Sequence, residues 1–288
     1  MPSKSSKKRP AKNTRNRVAA RPSSASPPRL SPRAGLPARD SIVGVVEFTP
    51  FDAAQPLSAS SAAAPAVSKY RMIITDEQDE YEKPEPAGAP GLELFFASAA
   101  AVPDDFKGKE RRPAKLSVAN ARTEKFDDLK DLIASLVPDE DMIDRYPPIK
   151  RGETSRRVKE EKRNVSVKAF LYAHSVEDDH DYHLIIGRDP QARPEMYMTA
   201  EVSGLPPAWS ASRKELQGAR DSYKSFFGSK LPGQKYVFPD PPIPVFVKGS
   251  LFFDVTHAGG TSPGPKSLKS RMPTIWEIHP VTKIKFEP

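Results

Sequence analysis

The chain has 288 residues, 32 of them Pro and none Cys, with 37% hydrophobic residues and a net charge of +8. Apolar content below the about 45–50% of a packed domain means that part of the chain stays unpacked. The lack of Cys excludes disulfides, thiolate zinc sites and a Cys nucleophile.

There is no apolar run of about 18 residues to cross a membrane as a helix. The N-terminus is basic but lacks the apolar stretch of a secretory signal, so a cytoplasmic location is expected. A transit peptide is the alternative, because the segment is rich in Arg and Ser and poor in acids.

The positive charge is local. Residues 1–40 hold eleven of the 45 basic residues (Lys4, Lys7, Lys8, Arg9, Lys12, Arg15, Arg17, Arg21, Arg29, Arg33 and Arg39) against one acid, Asp40. That leaves 34 basic against 36 acidic residues in the rest of the chain. The segment lacks periodicity and large apolar side chains, so it cannot offset the entropy of ordering and is expected to be disordered. Its functional reading is an electrostatic arm for nucleic acid or another polyanion; its plain reading is a solubilising tail.

Residues 41–137 read as a smaller β-rich N-terminal domain. Short β-like runs lie at 41–48, 69–75, 92–97 and 114–120, joined by long low-complexity connectors. One helix is expected over 123–136. Phe126, Leu129, Ile133 and Leu136 fall on one of its faces, Thr123 caps it and Pro138 ends it. Residues 138–163 form a charged linker, after which the composition shifts.

Residues 164–288 read as a second domain. Strands are expected at 165–174, 181–187 and 195–202. A helix follows at 211–227, with a capping box of Ser212 and Glu215 and with Gly228 at its C-terminal end. Two more strands are expected at 243–255, where Gly249 marks a bulge, and at 274–286. The order β-β-β-α-β-β is the chain order of the OB-fold, a five-stranded barrel. The expected class is therefore mainly β (α+β), with an OB-like barrel at the C-terminus.

The segments EEKRNV (160–165), DYHLIIG (181–187), MTAEVSGLP (198–206), GSLFFDVTH (249–257) and WEIHPVTKI (276–284) carry a resemblance. Together they resemble a family of uncharacterised bacterial proteins with an OB-like C-terminal domain. The resemblance implies a real domain and brings no activity, cofactor or partner with it.

Strand alternation sorts the polar residues of this half. His183, Glu201, Asp254, Glu277 and His279 fall opposite the core-facing positions, and His257 lies just past the fourth strand. Asp254-x-x-His257 and Glu277-x-His279 offer the carboxylates and imidazoles that suit zinc, manganese or iron. A divalent metal there is the cofactor the sequence points to, and it would activate water for ester or phosphodiester hydrolysis. The opposing reading is a hydrogen-bonded network that pins the loop before the last strand.

AHSVEDDHD (173–181) reads either as a cation-holding loop or as a solvated hairpin tip, and its acids would repel phosphate. The loop 256–271 carries Lys266, Lys269 and Arg271, positioned for a phosphate or simply exposed. Tyr197, Phe246 and Phe252 point away from the core and would stack bases unless another segment covers them. No nucleotide loop or hydrolase elbow is present.

The expectation is a non-enzymatic binding module whose basic tail supplies affinity for nucleic acid or another polyanion. A metal-dependent hydrolase and a protein-interaction module are the alternatives.

Overall fold

Short β-branched and aromatic runs, separated by connectors rich in Pro and Gly, build a β-rich fold. The computed structural model describes residues 35–50, 69–78, 96–97, 103–259 and 263–287. The basic tail with Lys4, Lys7, Lys8, Arg9, Lys12, Arg15 and Arg17 lies outside the described residues.

In chain order the strands are β1 (Ile42–Phe48), β2 (Tyr70–Thr75), β3 (Phe96–Ala97), β4 (Thr123–Phe126), β5 (Asn164–Val176), β6 (Tyr182–Gly187), β7 (Tyr197–Val202), β8 (Leu231–Pro232), β9 (Val237–Asp240), β10 (Ile243–Phe253) and β11 (Trp276–Phe286). The helices are α1 (Arg112–Lys115), α2 (Leu129–Ala134), α3 (Asp139–Ile143), α4 (Arg213–Phe227) and α5 (Lys266–Lys269). Among the described residues, no helix is long and apolar enough to cross a membrane.

Five strands close a barrel. β5 pairs with β6 and with β10, β10 with β11, β11 with β7, and β7 with β6. The β7–β11 pairing is parallel and the other four are antiparallel. The register of β5 against β6 shifts between Leu171 and Ala173. Gly249 sits where β10 and β11 shift register, as the sequence suggested. A Cβ there would come within 2.7 Å of Ile278 Cγ2 and against the Pro280 carbonyl, so the bulge requires Gly.

Alternation fills the interior. Val165, Val167, Ala169 and Leu171 of β5 join Leu184 and Ile186, Met198, Ala200 and Val202, Val245, Val247 and Leu251, and Ile278 in one buried cluster. The apolar stripe of α4 extends that cluster through Ala219, Tyr223, Phe226 and Phe227, with Phe226 stacked on Phe286 at 4.0 Å. Each such aromatic contributes about 1.5–3 kcal/mol by burial.

The strands of 41–75 join the same sheet. β1 pairs with β2, β2 with β9, and β9 meets β5 at His174–Val237. Among the described residues, strands of the 41–137 and 164–288 segments thus share one sheet.

Several local expectations differ. The segment 123–136 is not one helix. Thr123–Phe126 pairs in parallel with Asn164–Val167, and Glu124 is held by Arg163 at 2.7 and 2.8 Å. The helix proper starts later, capped by Asp128, whose side chain accepts from the Lys130 N–H at 2.8 Å. Strand pairing overrode local periodicity here.

The run 114–120 is not a strand but the end of α1 and a turn. Of 92–97, only Phe96–Ala97 lies within the described residues, as β3. The capping box of α4 does not form. Ser212 has helical backbone angles, and its hydroxyl donates instead to the Leu116 carbonyl at 2.7 Å. Within the charged 138–163 segment, α3 forms and Glu161 is fully buried.

Candidate metal centre

The outer face of the barrel over β6, β7 and β11 is polar, as alternation required, yet it is not exposed. His183, Glu201, Glu277 and His279 are each 2% exposed or less. The segment around α1 roofs them. Lys115 Nζ lies 6.0 Å from the centre of the Phe252 ring, and the Arg111 guanidinium sits 4.6 Å over the same ring.

Arg111 is itself locked. Its two terminal nitrogens donate to Glu161 at 2.8 and 2.7 Å, and one also donates to the Phe253 carbonyl at 3.0 Å. Arg157 ties the same segment down by donating to the Ser117 carbonyl at 2.8 Å and the His279 carbonyl at 2.6 Å.

Register sets the neighbours. His183 faces Glu201 across β6 and β7, and Glu277 faces Thr199 across β7 and β11. The turn between β5 and β6 then supplies two more acids. Glu177 bends back to His183 Nδ1 at 2.6 Å, and Asp181 is fully buried with its Oδ2 3.3 Å from His279 Nε2. The tip is therefore solvated only in part: Asp178 is exposed, while Asp181 turns inward.

Two groups of ligand atoms result, each lying within 4.8 Å of one another: Glu177, His183 and Glu201, and Asp181, Glu201 and His279. Glu201 belongs to both. Its Oε1 is 3.4 Å from His183 Nδ1, and its Oε2 contacts His279 Nδ1. Glu277 Oε2 stands 3.6 Å from His279 Nδ1. Asp181 Oδ2, Thr199 Oγ1, His183 Nε2 and Glu277 Oε2 are buried and make no hydrogen bond among the described residues. Buried polar atoms left so are costly, about 1–3 kcal/mol each, and point to a missing partner.

A cavity of about 260 Å³ opens onto this face, lined in part by Lys115, Glu177, His183, Glu201, Phe252 and Glu277. Asp254 and His257 lie on its wall as a separate pair, His257 Nδ1 to Asp254 Oδ2 at 2.5 Å, with Asp254 also accepting from the Thr256 N–H at 2.9 Å. Of the four residues expected to share a metal, His279 enters one group, and Glu277 stands 3.6 Å from its Nδ1 without belonging to either group. Asp254 and His257 do not enter either group of ligand atoms. The groups recruit Glu177, Asp181, His183 and Glu201 instead.

The electrostatics follow from burial against neighbours. Burial works against the Lys115 charge, but Asp179, Glu201, Asp181 and Glu177 outweigh it and hold the ammonium well above the usual lysine range. Burial likewise opposes protonation of His183, and Glu177 and Glu201 reverse it. Burial outweighs the pull of Glu201 on His279 and lowers it, which favours the neutral imidazole that binds metals.

Burial would raise Glu201, yet His279, Lys115 and His183 drive it well below the carboxylate range. Asp181 and Glu277 are pushed well above that range, first by burial and then by neighbouring carboxylates. Glu177 rises to about 7 for the same reasons, and Asp254 is held down to about 2 by His257 despite its burial. The face thus gathers more buried carboxyl groups than its own cations can keep ionised, and Asp181 and Glu277 are held toward the neutral acid.

The remaining expected contacts lie elsewhere. Lys266 and Lys269 belong to α5, and Arg271 is engaged by Glu195 and by the Ser267 carbonyl at 2.6 Å. Tyr197 is buried against Tyr172 at 4.8 Å, and Phe252 is buried under Arg111, so neither offers a stacking surface. No protein-family model, curated protein or solved structure matches this chain.

Proposed function

We propose that this chain is a divalent-metal-dependent hydrolase of esters or phosphodiesters, with its centre on the outer face of an OB-type barrel. The observation that carries the reading is the Glu177, His183 and Glu201 group. Its ligand atoms lie within 4.8 Å of one another and all three residues line an open cavity. Two carboxylates and an imidazole suit zinc, manganese or iron. A metal held there would lower the pKa of a bound water and polarise a substrate oxygen. Lys115, at the cavity rim, would face the negative charge that develops on that oxygen.

The OB-type assignment is supported by the cyclic pairing β5-β6-β7-β11-β10 with its single parallel contact between β7 and β11. It is also supported by α4, which lies between β7 and β10 in the chain.

The test is hydrolysis of p-nitrophenyl acetate and bis(p-nitrophenyl) phosphate by chelator-treated protein, alone and with Zn²⁺ or Mn²⁺. One metal should restore turnover, and Glu201→Gln should abolish the restoration. No metal-dependent turnover of either compound would sink the reading.

The second reading is binding of nucleic acid or another polyanion by the basic arm. Eleven basic residues against one acid in residues 1–40 favour it.

A further inference from the structure

The two ligand groups share Glu201. We propose that they hold two divalent cations at once, bridged by the Glu201 carboxylate: one against Glu177 and His183, the other against Asp181 and His279. This rests on the hydrolase reading only for its purpose, since the geometry stands without it.

Glu201 turns one oxygen to each imidazole, Oε1 to His183 at 3.4 Å and Oε2 to His279. A carboxylate so placed spans two metals about 3.5–4 Å apart, the spacing of dinuclear hydrolytic sites. The atoms beyond it are aimed inward without hydrogen bonds: Asp181 Oδ2 lies 3.3 Å from His279 Nε2, and Glu277 Oε2 lies 3.6 Å from His279 Nδ1. Both residues are 2% exposed or less.

Charge points the same way. Glu177, Asp181, Glu201 and Glu277 converge on two imidazoles and on Lys115, which is already 3.4 Å from Asp179. Each group brings two carboxyls to one imidazole, a donor set that suits a divalent cation.

The positions also differ in access. Glu177, His183 and Glu201 line the cavity, whereas Asp181 and His279 do not, so one cation faces substrate and the other is enclosed. The outer cation would then be the one placed to bind water and polarise a substrate oxygen.

The test uses the full chain, stripped with a chelator, equilibrated with excess Zn²⁺, desalted and analysed for zinc per chain. Two equivalents are expected. His183→Gln and Asp181→Asn should each retain one, with circular dichroism confirming that both variants fold. Mn²⁺ loading should give the spin-coupled resonance spectrum of a manganese pair in the parent and isolated-ion spectra in both variants.

One zinc per chain, together with metal-dependent hydrolysis, would overturn the bridged pair and leave the hydrolase reading standing. Two zinc per chain without hydrolysis would keep the pair and remove the hydrolase reading. No tightly held zinc would overturn both.

Discussion

The Arg111–Glu161 pair tests how the roof over the His183 and Glu201 face is held. The two side chains are 1% and 0% exposed and share two charge-assisted hydrogen bonds. Glu161 also accepts from the Val158 N–H at 2.7 Å and the Phe253 N–H at 3.0 Å. Glu161→Ala therefore strands a buried guanidinium and two backbone donors.

Removing one partner of a buried pair costs about 3–5 kcal/mol. Each orphaned donor adds about 1–3 kcal/mol where water does not reach it. Arg111 keeps its bond to the Phe253 carbonyl at 3.0 Å, which relieves part of the loss. The expected cost is at least about 4 kcal/mol, a large share of the about 5–15 kcal/mol that stabilises a typical domain.

The assay is urea unfolding followed by fluorescence, with the slope unchanged and the midpoint lowered. The double variant Arg111→Met/Glu161→Leu removes both charges, so it should be less damaging than the sum of its single changes. A loss below about 1 kcal/mol for Glu161→Ala, or simple additivity in the double variant, would refute the reasoning.

Two further outcomes are expected. His174 is fully buried with Nδ1 2.6 Å from the Tyr223 hydroxyl, and burial lowers its pKa to about 3. Above pH 7 both folded and unfolded forms are neutral. As pH falls through the unfolded value of about 6.5, only the unfolded chain takes the proton, and stability drops by about 1.4 kcal/mol per unit until about pH 3. His174→Leu should be the less stable form at pH 8, because Tyr223 loses its partner. Its deficit should shrink by about 2 kcal/mol by pH 5, and urea midpoints showing a constant deficit would refute this.

Residues 41–288 should lose the binding of a labelled single-stranded oligonucleotide that the full chain shows at about 50 mM salt and loses by about 200 mM. Anisotropy that survives the truncation would place the contact on the barrel instead.

Much was legible in local pattern. The period-two runs around Val165–Leu171, Leu184–Ile186 and Met198–Val202 sort core from outer face without reference to any neighbour. The same alternation placed His183, Glu201, Glu277 and His279 together on the outer face, because a strand leaves its side chains only two directions. The α4 stripe and Gly228 were equally local features.

Pairing and covering were not local. Thr123–Phe126 reads on paper as the capped start of a helix and became a strand because Asn164–Val167 offered hydrogen bonds that no local pattern records. Whether the outer face was wet or buried depended on the segment around Arg111 and Lys115, held by a Glu161 fifty residues away in sequence.

The inward turn of Asp181 depended on the Gly204 N–H, which donates to it at 2.5 Å from the next hairpin. Asp254 and His257 looked like ligands by spacing, but their mutual hydrogen bond keeps them on the cavity wall. Sequence determined which residue types share a face, since that follows from backbone geometry alone. Tertiary structure decided which of them meet, since a ligand set needs atoms a few ångströms apart and those distances belong to contacts between distant segments.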